Sequence, residues 1–142
     1  ADYRIVTPNA SLSVMEGRWG LIPDMGGNLA LRELAGSDHA LWLALSAEVV
    51  DGSRAVELGL ASALAEDPLA EARRMCEVVC ERSPDAVAAV KRLFRRGWTR
   101  RPGELLARET FLQGRILAGR NQRIATQRQQ GQDRDYEPRG RW

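Results

Sequence analysis

Four glycines and a proline fall within the twelve residues Gly17–Asn28 (GRWGLIPDMGGN), and this stretch limits the possible folds more than any other. It is too broken for a helix, and its Gly26-Gly27 pair permits backbone geometries closed to other residues. The two flanks differ. Before it, Tyr3-Arg4-Ile5-Val6-Thr7 is β-prone and stops at the turn signal Pro8-Asn9. Ser11-Leu12-Ser13-Val14 then alternates with the period of two of a half-buried strand. After it, Leu29–Ala35 is patterned as a helix that stops at Gly36. Strands thus give way to helices across one irregular loop, which predicts an α/β chain.

Helices dominate the rest of the chain. Ser37 or Asp38 is placed to cap a helix carrying Leu41, Trp42 and Leu45, and Ser53 to cap a short one ending at Gly59. Leu60–Leu64 reads as a brief extended segment. Pro68 opens a longer helix running to Arg82, Ser83-Pro84-Asp85 starts the next, and Gly103–Ala118 forms another. Asn121 is placed to cap a last helix. From Gln127 the chain is polar and turn-rich and is expected to fray.

Composition closes several classes. A chain of 142 residues with 44% apolar content fits one compact domain. No apolar run approaches the roughly 20 residues of a bilayer-spanning helix. ADYRIVTPNA lacks the pattern of a signal peptide, so a soluble, reducing, cytoplasmic setting is expected. Cys76 and Cys80 cannot build a disulfide framework, and with no further ligand nearby they read as buried small hydrophobes rather than a metal site. His39, the lone histidine, is expected at the surface, and no metal site is expected. Residues 1–72 carry 4 basic and 11 acidic side chains, a net of −7, and residues 73–142 carry 17 and 8, a net of +9. That asymmetry suggests two subdomains or charge-paired self-association, against the plainer reading that solvated helix faces differ. Nucleic acid ranks last, because aromatics are 6% of the chain and do not alternate with the arginines.

The stretch SLSVMEGRWGLIPDMGGNLALRELAG resembles the crotonase family, the enoyl-CoA hydratases and isomerases. Ala55-Val56-Glu57-Leu58-Gly59-Leu60 is similar to that family's helix-to-strand corner. Arg82-Ser83-Pro84-Asp85-Ala86 with Val90-Lys91-Arg92-Leu93 is similar to its later helix start. The motifs run in order over about residues 1–126. The resemblance implies a partial spiral ββα core at 1–82, followed by a helical segment at 83–142 that covers the active site and packs between subunits. It also implies that the family's first half, with its acyl-CoA loop and two oxyanion N–H donors, has no counterpart in this sequence.

Such enzymes work through an enolate on a thioester oxygen, held by two backbone N–H groups, while a carboxylate moves protons to or from carbon. The resemblance places Glu16 at a catalytic glutamate. The spacing of eight to Asp24 is similar to the acid pair of dienoyl-CoA isomerases. Read from its neighbours alone, Glu16 lies beside Met15, Trp19 and Leu21, which are expected to desolvate it. Pairing with Arg18 or capping a loop are the alternatives. Asp24 is either the second acid or a cap for the helix near Asn28.

Around this pair, the resemblance makes Trp19, Pro23, Gly26 and Gly27 the lining of an acyl pocket. Gly26-Gly27 lacks the lysine and spacing of a phosphate loop. Trp19, Trp42 and Trp98 are expected in a core or an interface. Phe111 falls near the family's aromatic contact to the CoA adenine, whereas the family's tail lysine is missing at Gly131-Gln132-Asp133, with Arg128 or Arg134 as substitutes. Lys91-Arg92 and Arg95-Arg96 either contact CoA phosphates or form a solvated face. The implied partner is an acyl-CoA thioester, with coenzyme A part of the substrate and no separate cofactor. The implied assembly is a homo-oligomer, trimer or hexamer. The competing class is a non-catalytic relative that serves as an oligomerisation or acyl-CoA-binding module.

Overall fold

The computed structural model describes residues 1–24, 26–97 and 100–141, with the side chains of Arg96 and Gly97 left aside. Trp98, expected in a core or an interface, and the Arg96 side chain, a candidate phosphate contact, therefore lie outside the described residues. Two compact units make up the chain, Ala1–Arg74 and Met75–Trp142.

The first unit runs through β1 (Ile5–Val6), β2 (Ser11–Leu12), α1 (Gly27–Ala35), α2 (Ser37–Ser46), β3 (Val50–Asp51), α3 (Gly52–Glu57) and β4 (Ala63–Leu64), and leads into α4 (Pro68–Cys80). β1 pairs in parallel with β4, Ile5 opposite Ala63, and β2 pairs antiparallel with β3, Leu12 opposite Val50. The strand-patterned runs are thus realised over only two residues each. One reason is the tight start of α3: Gly52 donates its N–H to the Pro8 carbonyl at 3.1 Å, and any Cβ there would fall on the Thr7 carbonyl.

Leu43, Val50, Ala55, Leu58 and Ala61 form the buried centre of this unit, with Val6, Leu12, Val14, Val56 and Leu60 packed against it. Arg4 ties the two ends together. Its Nε donates to the Leu60 carbonyl at 2.6 Å, and its own carbonyl accepts from Ser62 N at 2.7 Å. The chain can leave α3 here because Gly59 takes φ +79, a left-handed geometry that favours glycine, tight against the Leu34 carbonyl.

Two cap expectations are corrected. Asp51, not Ser53, caps α3, its Oδ1 accepting Arg54 N–H at 2.8 Å. Gly36 precedes α2 without a side-chain cap, so Ser37 and Asp38 lie inside its first turn. There the His39 backbone N–H, then Asp38's own, then the His39 charge hold the Asp38 carboxyl below the usual aspartate range. Trp42 is exposed on α2 rather than in a core, with its indole N–H donated to Glu48 at 3.1 Å. The helix buries only its Ala40 and Leu43 side. His39 is exposed, as expected.

α5 (Pro84–Gly97), α6 (Pro102–Leu117) and α7 (Arg120–Gln129) build the second unit, burying Ala89, Leu112 and Ile124. Ser83 precedes α5 and its hydroxyl accepts Ala86 N–H at 3.4 Å, as the Ser-Pro-Asp signal requires. Cys76 and Cys80 are exposed, which corrects their reading as buried hydrophobes: α4 buries no residue, so an i, i+4 pair on it stays open.

Asn121 caps nothing. Gly119 precedes α7, and Asn121 is 2% exposed, bonded to Asp85 Oδ2 at 2.9 Å and to the Glu137 backbone. The tail expected to fray is instead bonded back to Asp85 of α5 and Asn121 of α7. Gly140 N–H reaches Asp85 Oδ1 at 2.8 Å, and the Arg128 guanidinium lies 5.1 Å over the Tyr136 ring. Among the described residues no helix is long and apolar enough to cross a membrane.

Candidate active site

Glu16 lies on a 3-10 turn, Met15–Trp19, that occupies the start of the glycine-rich stretch expected to be non-helical. Gly20 closes the turn at φ +68, and Leu21 N–H donates to the Glu16 carbonyl at 3.0 Å. The Glu16 side chain is half-buried, and among the described residues no hydrogen bond or ion pair holds its carboxylate. Two expectations fail here. Arg18 does not pair with Glu16, because its Nε donates to the Ala47 carbonyl at 3.2 Å. Met15, Trp19 and Leu21 do not enclose the carboxylate, being 44%, 77% and 65% exposed. They project from a short turn and a loop, which have no buried face of their own.

Ser13 was not singled out by the sequence. Its hydroxyl donates to the same Ala47 carbonyl at 3.1 Å. Ala47 ends α2 in the left-handed region, φ 49, with its N–H on the Leu43 carbonyl. Alanine seldom takes that geometry, so no sequence signal marks this oxygen as an acceptor.

Asp24 is exposed, and it is its carbonyl, not its carboxylate, that accepts Gly27 N–H at 2.9 Å. Gly26, at φ +80, precedes α1, so the capping alternative for Asp24 is set aside. Pro23 is half-buried, its Cβ 3.5 Å from the place a Gly27 Cβ would take. Glu16, Trp19, Pro23, Asp24, Gly26 and Gly27 therefore share one continuous segment of the first unit.

Phe111 is on α6 in the second unit, 61% exposed, under the Arg115 guanidinium at 5.8 Å. Arg128 is engaged by Glu81 at 2.6 Å, and Arg134 by Gln127 at 2.8 Å. Arg115, Arg120, Asp85, Asn121 and Glu137 line a cleft of about 400 Å³ in the second unit, across which Arg120 pairs with Glu137 at 3.4 Å. None of the expected site residues lines it. Among the described residues no three His, Cys, Asp or Glu side chains are grouped to hold a metal ion.

Comparison with known proteins bears on the segment that carries Glu16. Residues 1–72 match the family described as enoyl-CoA hydratase/isomerase. Over 122 residues the chain is 29% identical to ethylmalonyl-CoA decarboxylase of Xenopus laevis, which takes in 83% of this chain and 41% of that protein. A Mycobacterium abscessus structure assigned as an enoyl-CoA hydratase/isomerase superposes with TM-score 0.77 at 29% identity, over 84% of this chain and 50% of that one. A second M. abscessus structure of the same assignment gives TM-score 0.86 at 25% identity, over 98% and 55%. The chain spans about half the length, or less, of the relatives it matches. Mixed strand and helix in the order described, shared with these structures, is the crotonase fold over part of its extent. By that fold and by the match across residues 1–72, the chain belongs to the enoyl-CoA hydratase/isomerase family.

Proposed function

We propose that this chain forms the proton-transfer half of an acyl-CoA enzyme that works through a thioester enolate, by hydration or double-bond isomerisation. The observation that carries the reading is Glu16 itself: a half-buried carboxylate with no cation on it, within the family-matched region, among exposed apolar side chains. A carboxylate with no cation or hydrogen bond on it is sterically open to exchange a proton with carbon. Trp19, Pro23, Gly26 and Gly27 line the acyl group, and Asp24 is a second acid where two carbons exchange protons. We assign the two N–H donors for the enolate to the part of the fold that the relatives have beyond the matched region. No separate cofactor is required, since coenzyme A arrives with the substrate.

The decarboxylase relatives favour a second reading. Loss of carbon dioxide from a malonyl-type thioester leaves the same enolate, which then needs one proton on carbon. Glu16 would deliver it, and Asp24 would have no role. In either reading residues 83–142 join subunits, Phe111 is the contact to the CoA adenine, and the protein acts in the cytoplasm as a trimer or hexamer.

The test uses the chain joined to a first half of the fold, assayed with crotonyl-CoA, with a dienoyl-CoA and with ethylmalonyl-CoA. Glu16→Gln is expected to lower turnover about 10²–10⁴-fold with acyl-CoA binding nearly intact. Asp24→Asn is expected to cost as much only in dienoyl isomerisation. Undiminished turnover in Glu16→Gln removes Glu16 from the mechanism.

A further inference from the structure

We infer that Ser13 and Arg18 are positioning residues for Glu16, acting through one oxygen, the Ala47 carbonyl; this rests on the reading of Glu16 as the proton-transfer group. The two side chains flank Glu16, three residues before it and two after, and both donate to that carbonyl, at 3.1 and 3.2 Å. Between them, Gly17 brings its backbone onto the same end of α2. A Cβ on Gly17 would stand 2.9 Å from the Ala44 carbonyl and 3.8 Å from the Ala47 Cβ. Residues 13, 17 and 18 therefore all rest on residues 44–47, and Glu16 is the one side chain of the turn's centre left without a bond.

The acceptor suits the purpose. Ala47 is 1% exposed, and its left-handed φ takes its carbonyl out of the helical ladder. The C-terminal carbonyls of a helix lack internal partners and carry partial negative charge, so a guanidinium is well matched there. The same bond keeps the Arg18 cation occupied away from Glu16, only two residues distant. An arginine released from Ala47 could reach the carboxylate, hold it as the anion and weaken it as a base.

The experiment measures kcat and KM in the chain joined to a first half of the fold, for Ser13→Ala, Arg18→Ala, the double variant and Glu16→Gln. The expected result is a fall in kcat of about tenfold to a hundredfold for the double variant, since a displacement of about 1 Å costs on that order. KM should change less than about twofold. Ser13→Thr and Arg18→Lys each retain a donor and should recover most of the loss, which a purely structural lesion would not predict. Wild-type kcat in the double variant, with Glu16→Gln inactive, overturns the positioning role alone. Wild-type kcat in Glu16→Gln overturns the reading beneath it.

Discussion

The side-chain amide of Asn121 grips the backbone of Glu137 at both polar groups. Asn121 Oδ1 accepts the Glu137 N–H at 2.8 Å, and Nδ2 donates to the Glu137 carbonyl at 3.0 Å. Nδ2 also donates to Asp85 Oδ2, whose other oxygen takes Gly140 N–H. Two buried side chains from α5 and α7 thereby hold an extended tail by its backbone at two points three residues apart.

Asn121→Ala should release that tail. The substitution leaves a buried Asp85 oxygen and the Glu137 backbone groups without their partner, a loss of about 2–3 kcal/mol for polar groups kept from water. Urea denaturation should show the drop. Limited trypsin digestion should show faster cleavage after Arg134 and Arg139, and wild-type digestion kinetics would refute the latch.

Gly52→Ala should be among the worst single substitutions in the first unit. Its methyl would occupy the Thr7 carbonyl, at a junction where both partners are backbone and neither can rotate aside. Overpacking of this kind costs about 1–3 kcal/mol or more. A denaturation midpoint equal to wild type would show that the start of α3 and the Thr7-Pro8 turn can part at little cost.

Glu71 should titrate below an ordinary glutamate, because a side-chain hydrogen bond from Arg74, at 2.6 Å, favours its anion. With the folded value depressed, the pair's contribution is present above the unfolded value and lost as pH falls through the folded one. An NMR titration should find the midpoint lowered and restored to the usual range in Arg74→Ala. An ordinary midpoint in wild type would mean the pair is not held in solution.

Leu41, Trp42 and Leu45 stand out from α2 at 60%, 58% and 70% exposure, a contiguous apolar face of the sort that marks an interaction surface. On the proposed homo-oligomeric reading, light scattering at micromolar concentration should find an assembled species. Leu41→Glu with Leu45→Glu should shift it toward smaller ones. A monodisperse wild-type monomer would refute this.

Local chemistry explains which parts could be read from the sequence. Pro68, Ser83-Pro84 and Gly36 mark helix ends because fixed φ, a side-chain acceptor or a missing Cβ act within a few residues, and the helices do begin or end there. Asn121 shows the limit. Asparagine before a helical run reads as a cap, yet its partners are 36 residues back and 16 residues on, and no local pattern announces them. The candidate site divides the same way. The segment 16–27 was legible as a unit through its glycines and its resemblance. That Arg18 serves Ala47 rather than Glu16 depended on how α2 ends, in a conformation that an alanine gives no warning of.

The parallel pairing of β1 with β4 has a consequence for how the first unit is made. Arg4 and Ser62, which bond at its edge, are 58 positions apart, so β1 gains its neighbour only after a long loop closes. Contacts of such separation form slowly, whereas the α5–α7 hairpins need only local turns. The β1–β4 pairing itself cannot form until residue 64 has left the ribosome. A two-residue pairing has few bonds of its own, and Arg4 adds to them at its start, through Nε on the Leu60 carbonyl and its backbone N–H on Ser62 Oγ.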